Sequence, residues 1–112
     1  MQRMSFMLTK DQILNQTKDV TRRLGWVRLR AGDVFQPVYK CQGLKAGEHQ
    51  ELLGGPAMCV SNDPEVLMEM RRGDCRREGF SDLTPMQFVA LFCREMRCEA
   101  EDTVNRIEFR YL

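Results

Sequence analysis

The sequence predicts an α+β domain, and three observations carry that prediction. Short runs of strand-like composition recur, as in Val34-Phe35-Gln36-Pro37-Val38-Tyr39 and in the alternating stretch Val104 to Tyr111. Two helix starts are written in the same way, a capping residue before a proline, at Asp63-Pro64 and at Thr84-Pro85. Strands and short helices then follow one another without the regular strand–helix–strand period of a parallel α/β sheet. At 112 residues, with no linker and no internal repeat, the chain reads as one domain, 1–112.

Taken in order, Ser5-Phe6-Met7-Leu8 reads as a short buried strand. Thr9 starts a helix, with Gln12 three residues on to complete a capping box, and Ile13 and Leu14 as its apolar side. That helix ends near Gln16, and Asp19 to Arg22 forms a short strand. Turns follow at Leu24-Gly25-Trp26 and Ala31-Gly32-Asp33. In the strand Val34 to Tyr39, Pro37 lacks a ladder donor and restricts the run to an edge or a bulge. Gly43 to Gly55 is a polar, glycine-rich loop around His49, and Met58 to Ser61 is the next strand.

Asp63-Pro64 predicts a helix that buries Val66, Leu67 and Met70. Gly73-Asp74 breaks it and starts one further turn, Cys75 to Glu78, which Gly79 ends. Thr84 and Gln87 form a second capping box, after which Phe88, Leu91, Phe92 and Met96 recur at helical spacing through Arg97. In the last strand Ile107, Phe109 and Tyr111 point one way, Glu108 and Arg110 the other.

An apolar fraction of 43% beside 29% charge is too hydrophobic for disorder. No apolar run approaches the roughly 18 residues of a membrane span, and the N-terminus lacks a secretory hydrophobic stretch, so a cytoplasmic location is expected. Five cysteines without a C-x-x-C pair argue for reduced thiols rather than a disulfide framework. With His49 the sole histidine, standing alone, neither a metal nor a cofactor is expected. The net charge of +1 hides an uneven distribution. Residues 18–30 carry five cations against one acid, and residues 71–78 carry four against two. Such a surface attracts phosphate on one side, although scattered solvated arginines give the same pattern.

The segment Thr17 to Arg23 concentrates the chemistry. Lys18 and Thr21 are three residues apart, close enough for an amine to activate a hydroxyl. Arg23 shares the face of Thr21 if the segment is extended. The run Ile13 to Arg23 resembles the G-x-K-x-x-T-x-R signature of the ASCH (activating signal cointegrator homology) family, whose members are small β-barrels related to the RNA-binding PUA modules. Arg76-Arg77-Glu78-Gly79-Phe80, Leu83 to Phe88 and Arg106 to Tyr111 agree with the family in the same order, whereas residues 42–62 match poorly. The resemblance implies a small antiparallel PUA-like β-barrel with two or three short helices packed at its side. One departure stands out: the glycine usual two positions before the lysine is Gln16 here. If that glycine admits a ligand or backbone, Gln16 narrows the site.

The family's amidohydrolases remove an acyl group from the exocyclic nitrogen of cytidine, and the resemblance implies the catalytic set Lys18, Thr21 and Glu78. Lys18, if desolvated, would take the proton of Thr21, and Glu78 would orient the lysine or protonate the leaving amine. Arg23 would hold a developing oxyanion. As an RNA or modified-nucleoside binder the same cleft would use Arg22, Arg23 and Arg76 for phosphate and Trp26 for stacking. Plainer roles exist for each: Lys18 pairing with Glu78, Thr21 satisfying backbone, Trp26 filling the core. A third class, a protein-interaction module without chemistry, would use Glu95 to Asp102 and Lys45 to Leu53.

Overall fold

A computed structural model describes residues 1–41 and 45–112. It is an α+β arrangement of one five-stranded mixed sheet and three helices. The strands are β1 (Gln2–Ser5), β2 (Val20–Arg23), β3 (Val34–Val38), β4 (Ala57–Val66) and β5 (Thr103–Tyr111). The helices are α1 (Lys10–Leu14), α2 (Asp74–Arg77) and α3 (Pro85–Met96), with a 3-10 turn at Leu67–Glu69. The sheet order is β1-β3-β4-β5-β2, with β1 parallel to β3 and every other pair antiparallel.

The sheet is open, which corrects the closed antiparallel barrel expected from the sequence. Its two outer strands, β1 and β2, share no ladder. Side chains fill the gap instead: the Arg23 guanidinium reaches across it and donates through Nη2 to the Ser5 carbonyl at 2.7 Å.

Two cores hold the fold. Phe6, Phe35 and Phe109 meet ring to ring on one side, at centroid distances of 5.6–6.4 Å. Leu67, Met70, Phe88, Phe92 and Val104 form the other, between α3 and the sheet. Both draw on β5: Ile107 and Phe109 are buried in the first core, as the alternation of that strand predicts, and Val104, out of phase with them, is buried in the second.

Four local expectations change. The first strand lies earlier, at Gln2–Ser5; only Phe6 of the run after it turns inward, bonding Val38, while Met7 and Leu8 are exposed. The capping box at Thr9 does not form: Thr9 makes no side-chain cap bond, and the Gln12 side chain that would close the box donates instead to the Gly79 carbonyl at 2.9 Å. Gly79 is the glycine this contact requires: its φ is 93°, and a Cβ there would meet Gln12 Cγ at 3.1 Å. Pro37 sits in an interior strand rather than on an edge, yet β4 pairs only with Val34 and Phe35 of β3. Its missing N–H faces the side where its carbonyl accepts from Leu53, beyond that ladder.

The fourth change is the largest. Asp63-Pro64 starts no helix; β4 runs straight through both residues to Val66. From Ala57 to Val66 it pairs with β5, with one irregularity between Cys59 and Ser61. Pro64 lies opposite Asn105, which also pairs with Arg23 of β2. Phe109 donates toward β2 and Asp102 accepts from the β4 side, so alternation turns the backbone polar groups of Asn105 toward β2. Pro64 therefore costs the ladder no bond. The Thr84 capping box, in contrast, forms in full, with Gln87 N–H donating to Thr84 Oγ1 and Thr84 N–H to Gln87 Oε1. The expected polar loop 42–55 lies partly outside the described residues; within the rest, Leu52 bridges to Val38.

Candidate functional site

The gap between β1 and β2 opens into a cleft of about 800 Å³, with α3 as its far wall. Lys18, Thr21, Arg23, Trp26 and Glu78 all line it. Sixty residues separate Lys18 from Glu78 in sequence, and the fold joins them directly. Lys18 Nζ donates to Glu78 Oε1 at 2.8 Å and to the Glu78 carbonyl at 2.6 Å, with both side chains 3% exposed. Tyr111 Oη fixes the lysine backbone by donating to the Lys18 carbonyl at 2.5 Å. Burial pulls the Lys18 ammonium below the ordinary lysine value; the Glu78 carboxylate opposes that pull, while Arg23 and Arg22 add to it.

Thr21 and Arg23 share a face of β2, as period-two alternation predicts. Arg23 Nε donates to Thr21 Oγ1 at 3.0 Å, and the guanidinium lies 4.7 Å from the centre of the Phe6 ring. Burial lowers the Arg23 pKa to about 10, which leaves it charged at neutral pH. No hydrogen bond joins Lys18 to Thr21; the amine is bonded to Glu78 instead.

Arg22 has a different fate from the phosphate contact expected of it. Its side chain has no exposed surface, and each guanidinium nitrogen donates to a carboxylate: Nε to Glu65 at 2.8 Å, Nη2 to Asp74 at 2.5 Å, Nη1 to Glu78 at 3.1 Å. Burial works against that charge, yet the Glu65, Glu78 and Asp74 contacts hold its pKa above the ordinary arginine value. Asp74 also accepts two bonds from Arg106, at 2.8 and 3.1 Å, and these with Arg22 hold its pKa down at about 2. Arg22 and Arg106 are directly opposite each other across β2 and β5. Like charges in that position repel, so Asp74 is the acid that makes the register tolerable.

Arg76 is exposed and borders a separate depression with Asp19, Arg77 and Ser81, so it does not belong to the cleft. The basic run 18–30 is correspondingly thinner at the surface than its sequence suggests, because Lys18 and Arg22 are internal ion-pair partners. Trp26 is half-buried at the rim, packed against the Phe6 core while also lining the cleft. Its φ of 60° is unusual for a bulky residue. Asn62 holds the turn there, donating to the Trp26 and Leu29 carbonyls at 2.8 Å each.

Gln16 does not narrow the cleft. It is exposed with φ 61°, a left-handed backbone position that a glycine takes without strain. At this position a glycine answers a backbone demand of the turn after α1 rather than the space of a ligand.

Sequence reasoning missed Glu65, Asp74 and Arg106 as parts of the charge network, and Phe6, Phe80 and Phe88 as cleft walls. The one available signal was Asp74 inside an arginine-rich turn, an acid read only as the start of a helical turn. Among the described residues no group of three or more His, Cys, Asp or Glu side chains could hold a metal ion, and no helix is long and apolar enough to cross a membrane. Comparison with protein-family models, with curated proteins and with solved structures gives no match, so the chemistry of the site is read from its own geometry.

Proposed function

We propose that this chain is an ASCH-type domain, PUA-related with its barrel left open, that binds a modified nucleoside, free or as part of RNA, in the cleft between β1 and β2. The observation that carries the reading is the convergence of Lys18, Thr21, Arg23, Glu78 and Trp26 on one cavity. Arg23 and Lys18 offer donors to a base carbonyl, Glu78 offers an acceptor to an exocyclic amine, and the Trp26 ring borders the opening for stacking. The neutralisation of Arg22 favours recognition of a base over tracking of a phosphate chain. An odd set of five thiols fits a reducing compartment, and we assign the protein to the cytoplasm.

One observation favours a second reading, hydrolysis of an N4-acyl group from cytidine: the buried amine of Lys18 is pushed toward its neutral, proton-accepting form beside a hydroxyl in the same cleft. The reaction takes up one water and yields cytidine and a carboxylic acid. Thr21 Oγ attacks the acyl carbon, and Arg23 stands beside it for the oxyanion.

Calorimetric titration with N4-acetylcytidine, cytidine and a short single-stranded RNA tests the first reading, and cytidine release followed by chromatography tests the second. Saturable nucleoside binding that Arg23→Ala weakens at least tenfold is the expected result. Equal affinity in wild type and variant would remove the cleft as the binding site. If hydrolysis occurs, Thr21→Val abolishes release while substrate still binds, and release rises with pH as Lys18 loses its proton. Unchanged turnover in Thr21→Val would eliminate the hydroxyl as nucleophile.

A further inference from the structure

The Glu78 carboxylate is shared. Its Oε1 accepts from Lys18 and its Oε2 from Arg22, and all three side chains are buried. The charge states of this trio are unequal in cost. Glu78 is divided between two cations, Lys18 and Arg22, whereas Arg22 has Glu65 and Asp74 as well. Lys18 therefore has a weaker claim on the carboxylate than it would with Arg22 gone. If Arg22 were absent, loss of the Lys18 proton would strand a buried carboxylate, a far costlier arrangement. Lys18 would then remain an ammonium with no lone pair to offer.

The groups facing Lys18 are Glu78 from the end of α2, Arg22 and Arg23 from β2, and the Phe6 ring at 6.0 Å. Arg22 is immobilised from the other side by Glu65 and by Asp74, which Arg106 holds in turn. An arginine does not give up its proton in a protein, so its charge is a constant of the site.

We propose that Arg22 is a positioning residue, the fixed counter-ion that pins Glu78 and weakens the hold of Lys18 on its proton. The purpose of that weakening rests on the hydrolytic reading; the weakening itself does not. In that reaction the Thr21 hydroxyl proton passes to Lys18 Nζ as Oγ bonds to the acyl carbon. The carbonyl electron pair moves onto oxygen beside Arg23. As the carbon–nitrogen bond breaks, Lys18 returns the proton to the departing exocyclic amine. Water then cleaves the threonine ester to release the acid.

The test is an NMR pH titration of lysine side chains in ¹³C-lysine-labelled protein, which has four lysines, Lys10, Lys18, Lys40 and Lys45. Arg22→Met should raise the Lys18 midpoint by about 1 pH unit or more, because a cation is lost and Glu78 turns wholly to Lys18. Arg22→Lys, which keeps the charge, should move it far less. Glu65→Gln removes an acid facing Arg22 from a partly exposed position, so it should lower the midpoint by roughly a few tenths of a pH unit. A merely structural Arg22 predicts no such opposed pair of shifts. An unmoved midpoint in Arg22→Met, or equal shifts in Arg22→Met and Arg22→Lys, overturns the proposal. Should Arg22→Met not fold, an unmoved or raised midpoint in Glu65→Gln does so alone. The titration needs no substrate: opposed shifts without cytidine release would reject hydrolysis and leave the role of Arg22 standing, whereas release with unmoved midpoints would do the reverse.

Discussion

Two arginines stand side by side on β2 and meet opposite surroundings. Arg22 is enclosed by Glu65, Asp74 and Glu78 and has no exposed side-chain surface. Arg23 has no carboxylate within ion-pair distance; it bonds a threonine hydroxyl and a backbone carbonyl and lies on an aromatic face. One charge is satisfied by the protein and serves its architecture. The other is buried enough to lose water yet faces a cavity, so a ligand oxygen can still gain from it. Neighbouring cations of one strand thus meet different partners because successive side chains leave a strand on opposite faces.

The sharpest way to break this contrast is Arg22→Met. Removing one member of a buried ion network strands the others, and a stability loss of about 3–5 kcal/mol is expected by urea unfolding. A loss below about 1 kcal/mol would mean that the network contributes little. Acid should dismantle the same face. The folded-state pKa of Asp74 is held down to about 2 from an ordinary 3.8. Its contribution is therefore present above the ordinary value and lost as pH falls through the lowered one. Asp74→Asn should flatten the fall in unfolding temperature across that acid window; a parallel fall in wild type and variant would deny Asp74 this role.

Arg23→Ala probes the other face. It removes two hydrogen bonds and a ring contact, a cost of about 1–2 kcal/mol, while ligand affinity drops at least tenfold. A variant equally stable to Arg22→Met would erase the distinction between the two arginines. The smallest effect is the control: Thr84→Ala loses the α3 cap, costing about 1 kcal/mol, with ligand affinity unchanged in the same titration.

How far the sequence reaches is clearest at its two proline signatures. Thr84-Pro85 starts a helix because everything the capping box needs lies within three residues. Asp63-Pro64 carries the cap and the proline, with Val66 where Gln87 closes the box at Thr84, and becomes strand because β5 offers a ladder from Thr103 to Tyr111 along which Pro64 omits no bond. A local preference of about 1 kcal/mol for a cap yields to many ladder bonds and to the burial that pairing brings.

Features that depend on near neighbours were legible in the chain. It set the α+β mixture, the α3 helix with Phe88 and Phe92 inward, the alternating β5 strand, and the common face of Thr21 and Arg23. Features that depend on meetings across the chain came from the folded arrangement. It left the sheet open at β1 and β2, set Lys18 against Glu78, turned Arg22 inward to acids at positions 65, 74 and 78, and put Arg76 on another surface. The physical reason is that a charge takes its chemical character from burial and from its partners, and neither is written in the residues beside it.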